Sequence, residues 1–125
     1  MASAGILGVT AALPGCATGG RLVAVPGTRL GSTAQVPVGA GIVFAEHEVV
    51  VTQPTQGDFQ AFSAICTHQG CTVNGVNNGA ITCPCHGSEF DIADGRVVRG
   101  PAQEPLPRIA VTIEGTSLKL AQGDR

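Results

Sequence analysis

A chain of 125 residues with no Trp, no Tyr and only 4 Phe, against 18 Gly and 8 Pro, reads as one domain rich in turns and small side chains, not a helical bundle. A net charge of −2 and a single lysine, Lys119, argue against a nucleic-acid binder and leave no basic patch for anionic lipid. Its 5 cysteines cannot all pair, so at least one has another role.

No segment reaches the roughly 18 to 20 apolar residues that span a bilayer. Ala4 to Ala12 is a short apolar run, followed by Leu13-Pro14-Gly15-Cys16. That pattern fits the end of a bacterial lipoprotein signal, with Cys16 as the lipid anchor. The charged start of such a signal is missing, since the first basic residue is Arg21. Residues 1–20 therefore read as a signal remnant and a tether, and residues 21–125 as the folded domain.

After Arg21 the chain is predicted to be all-β. Leu22-Val23-Ala24-Val25 is a strand bounded by Pro26-Gly27. Ile42-Val43-Phe44 and Val49-Val50-Val51-Thr52 are strands separated by a polar Glu46-His47-Glu48 turn, where His47 reads as a solvated side chain. Phe59 to Ile65 alternates as a half-buried strand should. Ile109 to Ile113 and Leu118 to Leu120 flank a hairpin turn over Glu114-Gly115-Thr116-Ser117. Gly39-Ala40-Gly41 lies between strands and lacks the strand–helix setting of a dinucleotide site. Asp91 and Asp94-Gly95 read as a turn back into the framework. Arg96, Arg99 and Arg108 read as surface charge. The expectation is a β framework from both chain ends with a loop-built insert between them.

The insert carries four of the five cysteines and two of the three histidines, in two boxes. The first is Cys66-Thr67-His68-Gln69-Gly70-Cys71, the second Cys83-Pro84-Cys85-His86-Gly87-Ser88-Glu89-Phe90. Each supplies a Cys and a His at short spacing, plus one further Cys. Four soft or borderline ligands from two loops can close a metal site. Cys-x-His places i and i+2 of an extended segment on one side. Cys-x-x-His is a tight turn whose Gly87 lets backbone N–H groups approach sulfur.

These boxes resemble those of the Rieske [2Fe–2S] proteins. The resemblance implies that Cys66 and Cys83 ligate one iron and His68 and His86 the other. It implies a disulfide between Cys71 and Cys85, as in the high-potential branch typified by quinol–cytochrome c oxidoreductases. Gly100-Pro101 matches the family's third, proline-containing loop, which completes a cluster-binding subdomain at about residues 64–101. The stretch from Val49 to Gly70 is similar to actinobacterial Rieske lipoproteins. The function implied by the resemblance is one-electron transfer through one [2Fe–2S] cluster, coupled to proton uptake at the histidines, with no substrate turnover. Expected partners are redox proteins of the cytochrome b or c type, or a quinol oxidation site. Membrane contact is expected only through the N-terminal anchor, and the isolated domain as a monomer. A disulfide fits the outer face of a bacterial membrane. Export of a folded, loaded protein fits the twin-arginine route, whose motif would lie upstream of Met1.

The chain departs from the family pattern at three places. Fourteen residues separate His68 from Cys83, at the short end of the family range. Gln69 stands where quinol-oxidising members usually carry a Leu that docks on cytochrome b, which weakens that choice of partner. Ser88 matches a serine that donates its hydroxyl to a cluster sulfur, but Phe90 occupies the position of a tyrosine donor and has no hydroxyl to give. Each such donor stabilises the reduced cluster, so the potential is expected below that of Tyr-containing homologues, within about −150 to +300 mV. Three rival readings remain. Structural zinc accepts Cys₂His₂ but leaves Cys71, Cys85 and the proline loop unexplained. A metal-free, disulfide-stapled module makes the histidine spacing a coincidence. A Rieske ferredoxin serving an oxygenase has the same cofactor, but the extra cysteine pair argues against it.

Overall fold

Strand β3 (Val49–Thr55) organises the molecule, and its sequence explains why. Val49-Val50-Val51-Thr52 is an unbroken β-branched run, stiff at χ1 and suited to a strand buried on both faces. In the computed structural model, which describes residues 26–121, all four of these residues are 0% exposed. Alternation along the strand splits them between two cores. Val49 and Val51 pack with Leu30, Val36, Leu118 and Leu120. Val50 packs on the other side with Phe62, Ile81, Phe90, Ile92, Leu106 and two cysteines, Cys66 and Cys83. Buried Thr52 donates its hydroxyl to the Ile92 carbonyl at 2.7 Å, so its one polar group is satisfied where framework and insert meet.

Three antiparallel sheets surround this wall. Strand β3 pairs with β2 (Ala40–Phe44) on one side and β4 (Asp58–Ser63) on the other. Strand β1 (Arg29–Ser32) pairs with β10 (Ser117–Leu120), which continues to β9 (Val111–Glu114). The predicted hairpin at the C-terminal end is present, with a turn narrowed to Gly115-Thr116. The polar turn before β3 is a 3-10 turn over Ala45–His47 that ends with Glu48 at φ 56°. Gly41 has a packing role: a Cβ there would lie 2.7 Å from the Val51 carbonyl and 3.0 Å from both Thr52 and Val76.

One expectation is corrected. The insert is not built of loops alone. It holds a four-stranded sheet of β5 (Gly75–Asn77), β6 (Ala80–Thr82), β7 (Glu89–Asp91) and β8 (Val97–Arg99), in sequential order. Three-residue strands carry too little periodicity to register as strands. The eleven residues between the boxes, Thr72 to Thr82, are mostly the β5–β6 hairpin. Cys16, the expected signal remnant and the predicted strand Leu22–Val25 lie outside the described residues. Among the described residues, no helix is long and apolar enough to cross a membrane.

Candidate metal centre

The two boxes fold into the same loop. In the first, the Cys66 N–H donates to the Cys71 carbonyl at 2.7 Å and the Gly70 N–H to the Cys66 carbonyl at 2.9 Å. In the second, the Cys83 N–H donates to the Ser88 carbonyl at 2.9 Å and the Gly87 N–H to the Cys83 carbonyl at 3.1 Å. Closing such a loop needs a left-handed residue at the fifth position. Gly70 and Gly87 supply it, at φ 80° and 84°. A cysteine thus starts each loop in the buried core, and a histidine follows near the outer turn.

Cys66 and Cys83 are free thiols, 2% and 3% exposed. Of the two histidines that follow them in the boxes, His68 is half-buried and His86 exposed. Their ring centroids are 5.0 Å apart and their planes nearly perpendicular, at 87°. Cys71 and Cys85 form a disulfide that ties one loop to the other. The sulfurs of Cys71, Cys83 and Cys85 lie within 4.8 Å of one another. Burial pushes the Cys83 thiol up; backbone N–H groups of Cys85 and His86 pull the other way, and the neighbouring Cys66 sulfur adds to the rise. Those two N–H groups are donors aimed at a sulfur that would carry negative charge on a metal.

The third loop is fastened to both boxes by side-chain hydroxyls. Thr67 donates to the Glu104 carbonyl at 2.7 Å. Ser88, 1% exposed, accepts from the Ala102 N–H at 3.0 Å. That bond uses a lone pair of Ser88 and leaves its proton unspent. Gly100-Pro101 is exposed beside this anchor, joined by a cis bond. Phe90, on β7, is 0% exposed and packs in the same core as Cys66 and Cys83. The sequence alone does not single out Thr67 or the 102–104 stretch. A threonine between a candidate Cys and His is visible, but nothing along the chain says where its hydroxyl points. Arg108 also does more than carry surface charge. It lies over the Phe62 ring at 5.4 Å and bonds Gln60 and the Ala93 carbonyl.

Two buried thiols in mutual contact, two imidazoles at the surface, a free hydroxyl proton and N–H groups directed at sulfur fit a cluster with one sulfur-ligated and one nitrogen-ligated iron. An all-β domain presenting this donor set on paired loops belongs to the iron–sulfur class. Comparison with known proteins agrees. Residues 28–110 match the Rieske [2Fe-2S] domain family. The chain belongs to that family, whose members bind a [2Fe–2S] cluster.

The Rieske iron–sulfur subunit of the cytochrome bc1 complex of Corynebacterium glutamicum is 39% identical over 88 residues, covering 64% of this chain and 22% of that protein. The plasma-membrane Rieske protein PetC3 of Synechocystis has the same fold at a TM-score of 0.59 and 30% identity, covering 76% of this chain and 99% of that one. The ferredoxin of carbazole 1,9a-dioxygenase from Nocardioides aromaticivorans superposes at a TM-score of 0.63 with 24% identity, covering 79% of this chain and 100% of that one. That likeness is one of fold. The chain spans about half or less of the length of the curated relatives it matches, among them subunits of cytochrome bc1 and b6-f complexes.

Proposed function

We propose that the chain carries single electrons through a [2Fe–2S] cluster held by Cys66 and Cys83 on one iron and by His68 and His86 on the other. The observation that carries this reading is two buried free thiols and two imidazoles with ring centroids 5.0 Å apart, borne on two loops that a disulfide joins. The cluster, when bound, supplies one-electron redox chemistry. The chain's own residues set the conditions. Burial of Cys66 and Cys83 keeps water from the sulfur ligands. N–H groups of Cys85 and His86 and the hydroxyl of Ser88 offset negative charge there. Exposed His86 is the port for a redox partner, and the ring nitrogens of His68 and His86 not spent on iron can exchange protons with solvent.

The proposed partners are cytochrome-type redox proteins, because relatives are subunits of cytochrome bc1 and b6-f complexes. Residues 1–20 are a tether with Cys16 as lipid anchor, residues 21–125 the domain, and residues 64–101 its cluster-binding part. The Cys71–Cys85 disulfide favours an oxidising setting, at the outer face of a membrane reached by export after folding. The disulfide also weighs against service as an oxygenase ferredoxin.

Metal and sulfide analysis of the purified chain tests the ligand set. Two irons and two sulfides per chain are expected, with red-brown visible absorption. Cys66→Ser, Cys83→Ser and replacement of either histidine should each abolish loading. A colourless protein with one zinc, or iron retained in Cys83→Ser, would overturn the reading.

A further inference from the structure

Three sulfur atoms of the two boxes, those of Cys71, Cys83 and Cys85, lie close together, with Cys66 against Cys83, and one bond joins two of them. Cys71 and Cys85 are bridged, whereas Cys66 and Cys83 are thiols. Cys83 Sγ lies within 4.8 Å of both sulfurs of the bridge. A nucleophile, a sulfur to attack and a leaving sulfur therefore share one cluster. Exchange takes an approach in line with the bridge, and Cys83 Sγ, which stands beside the bond, reaches that line by a turn of its own side chain.

We propose that these residues form an intramolecular exchange site: when Cys83 is not bound to iron, its sulfur attacks the disulfide and the bridge migrates into the ligand set. The inference rests on the reading of Cys83 as a ligand. The step needs no oxidant. Cys83 gives its proton to water, and its thiolate forms a bond to Cys71 Sγ. The Cys71–Cys85 bond breaks, Cys85 Sγ leaves with the electron pair, and it takes a proton back from water. One disulfide and two thiols stand on each side of the equation.

Two features direct the attack to Cys71. Cys85 is exposed, so the thiolate that leaves is hydrated, while Cys71 is half-buried. Bonding Cys83 to Cys85 would instead close a small ring through Pro84, whose own ring fixes φ and resists that closure. With iron bound, the charge of the Cys83 thiolate would be shared with the metal, which weakens it as a nucleophile, and the bridge stays in place. While the bridge sits on Cys83 the site cannot take up iron, and Cys83 is freed when the Cys85 thiolate attacks back or a reductant opens the bridge. This favours one order of maturation. Cluster assembly acts on reduced cysteines, and a dithiol-oxidising reaction acts afterwards.

The full chain, purified with its cluster, is stripped anaerobically with an iron chelator at mildly alkaline pH. Samples are quenched with iodoacetamide over time and their disulfides mapped by peptide mass spectrometry. The expected result is progressive alkylation of Cys85 and a growing Cys71–Cys83 link in stripped protein, with neither in loaded protein or in a Cys83→Ser variant. A bridge that stays at Cys71–Cys85 while Cys66 and Cys83 are alkylated throughout would overturn the inference. So would scrambling that places Cys16 or Cys66 in bridges as often as Cys83. Iron content of the starting protein tests the ligand reading separately. Two irons with no migration sinks only the exchange site, whereas migration in a chain isolated without iron sinks only the ligand reading.

Discussion

On one face of β3, Val49 and Val51 meet Leu118 and Leu120 across two sheets whose strands run four to seven residues. On the other face, Val50 meets a core that includes Cys66 and Cys83 and is backed by strands of three residues each. The first side is ordinary apolar packing. The second adds a disulfide between loops, Thr67 and Ser88 hydroxyls on the third loop, and Thr52 on Ile92. A region that must leave two histidines at the surface has little apolar area to bury, so cross-links replace area. The difference teaches that stability and cluster environment are separable here, with β3 as the shared wall.

Leu118→Ala is the strongest test of that separation. Leu118 is 0% exposed and lies wholly in the framework core, so the loss is expected at about 2–5 kcal/mol. Calorimetry should record a lower Tm. The visible spectrum and potential of the loaded protein should match the parent; a shifted potential would break the comparison.

Replacing both Cys71 and Cys85 with Ser reverses the pattern. The two are 14 residues apart in sequence, and a loop of that size is worth about 3 kcal/mol in the unfolded chain. Hydrogen exchange should rise in the boxes and the third loop while β2, β3 and β4 stay protected. Uniform loss of protection would show that the two sides do not separate.

Thr67→Val removes one neutral hydrogen bond, worth about 0.5–1.5 kcal/mol. The Glu104 carbonyl can turn to water, so the expected stability loss is near the low end. The clearer readout is faster iron release to a chelator, restored by Thr67→Ser. Unchanged release would remove the third loop from the account of what shields the cluster.

Long elements and chemical boxes are legible along the chain. The Val49–Thr52 run, the alternation after Phe59 and the C-terminal hairpin are all strands as expected, because each carries enough pattern to define a face. The sheet of the insert is not legible in the same way, although one signal for it is present. Asn78-Gly79 is a two-residue hairpin turn with φ 52° and 80°, flanked by Asn77 and Ala80. Its strands are short and rich in Gly and Asn, so propensity alone does not reveal them. Strand β1 escapes for the same reason: Arg29-Leu30-Gly31-Ser32 alternates weakly and pairs with a partner 85 or more residues away. At the site, the Cys and His positions follow from residue type. The latches through Thr67 and Ser88 do not, because they depend on where the 102–104 backbone passes.

Phe90→Tyr is the smallest change and the finest test of the tip. Phe90 is fully buried in the core that holds Cys66 and Cys83. A hydroxyl placed there needs an acceptor, since an unsatisfied one costs about 1–3 kcal/mol. If it reaches a sulfur of the cluster or of its ligands, it stabilises the reduced state over the oxidised one. A differential of about 1 kcal/mol corresponds to roughly 40 mV for a one-electron couple. The midpoint potential should therefore rise by about that amount with little loss in Tm. A lower Tm with an unchanged potential would mean that the hydroxyl finds no sulfur. Phe90 would then serve the tip through packing alone, and the low potential expected of this chain would need another cause.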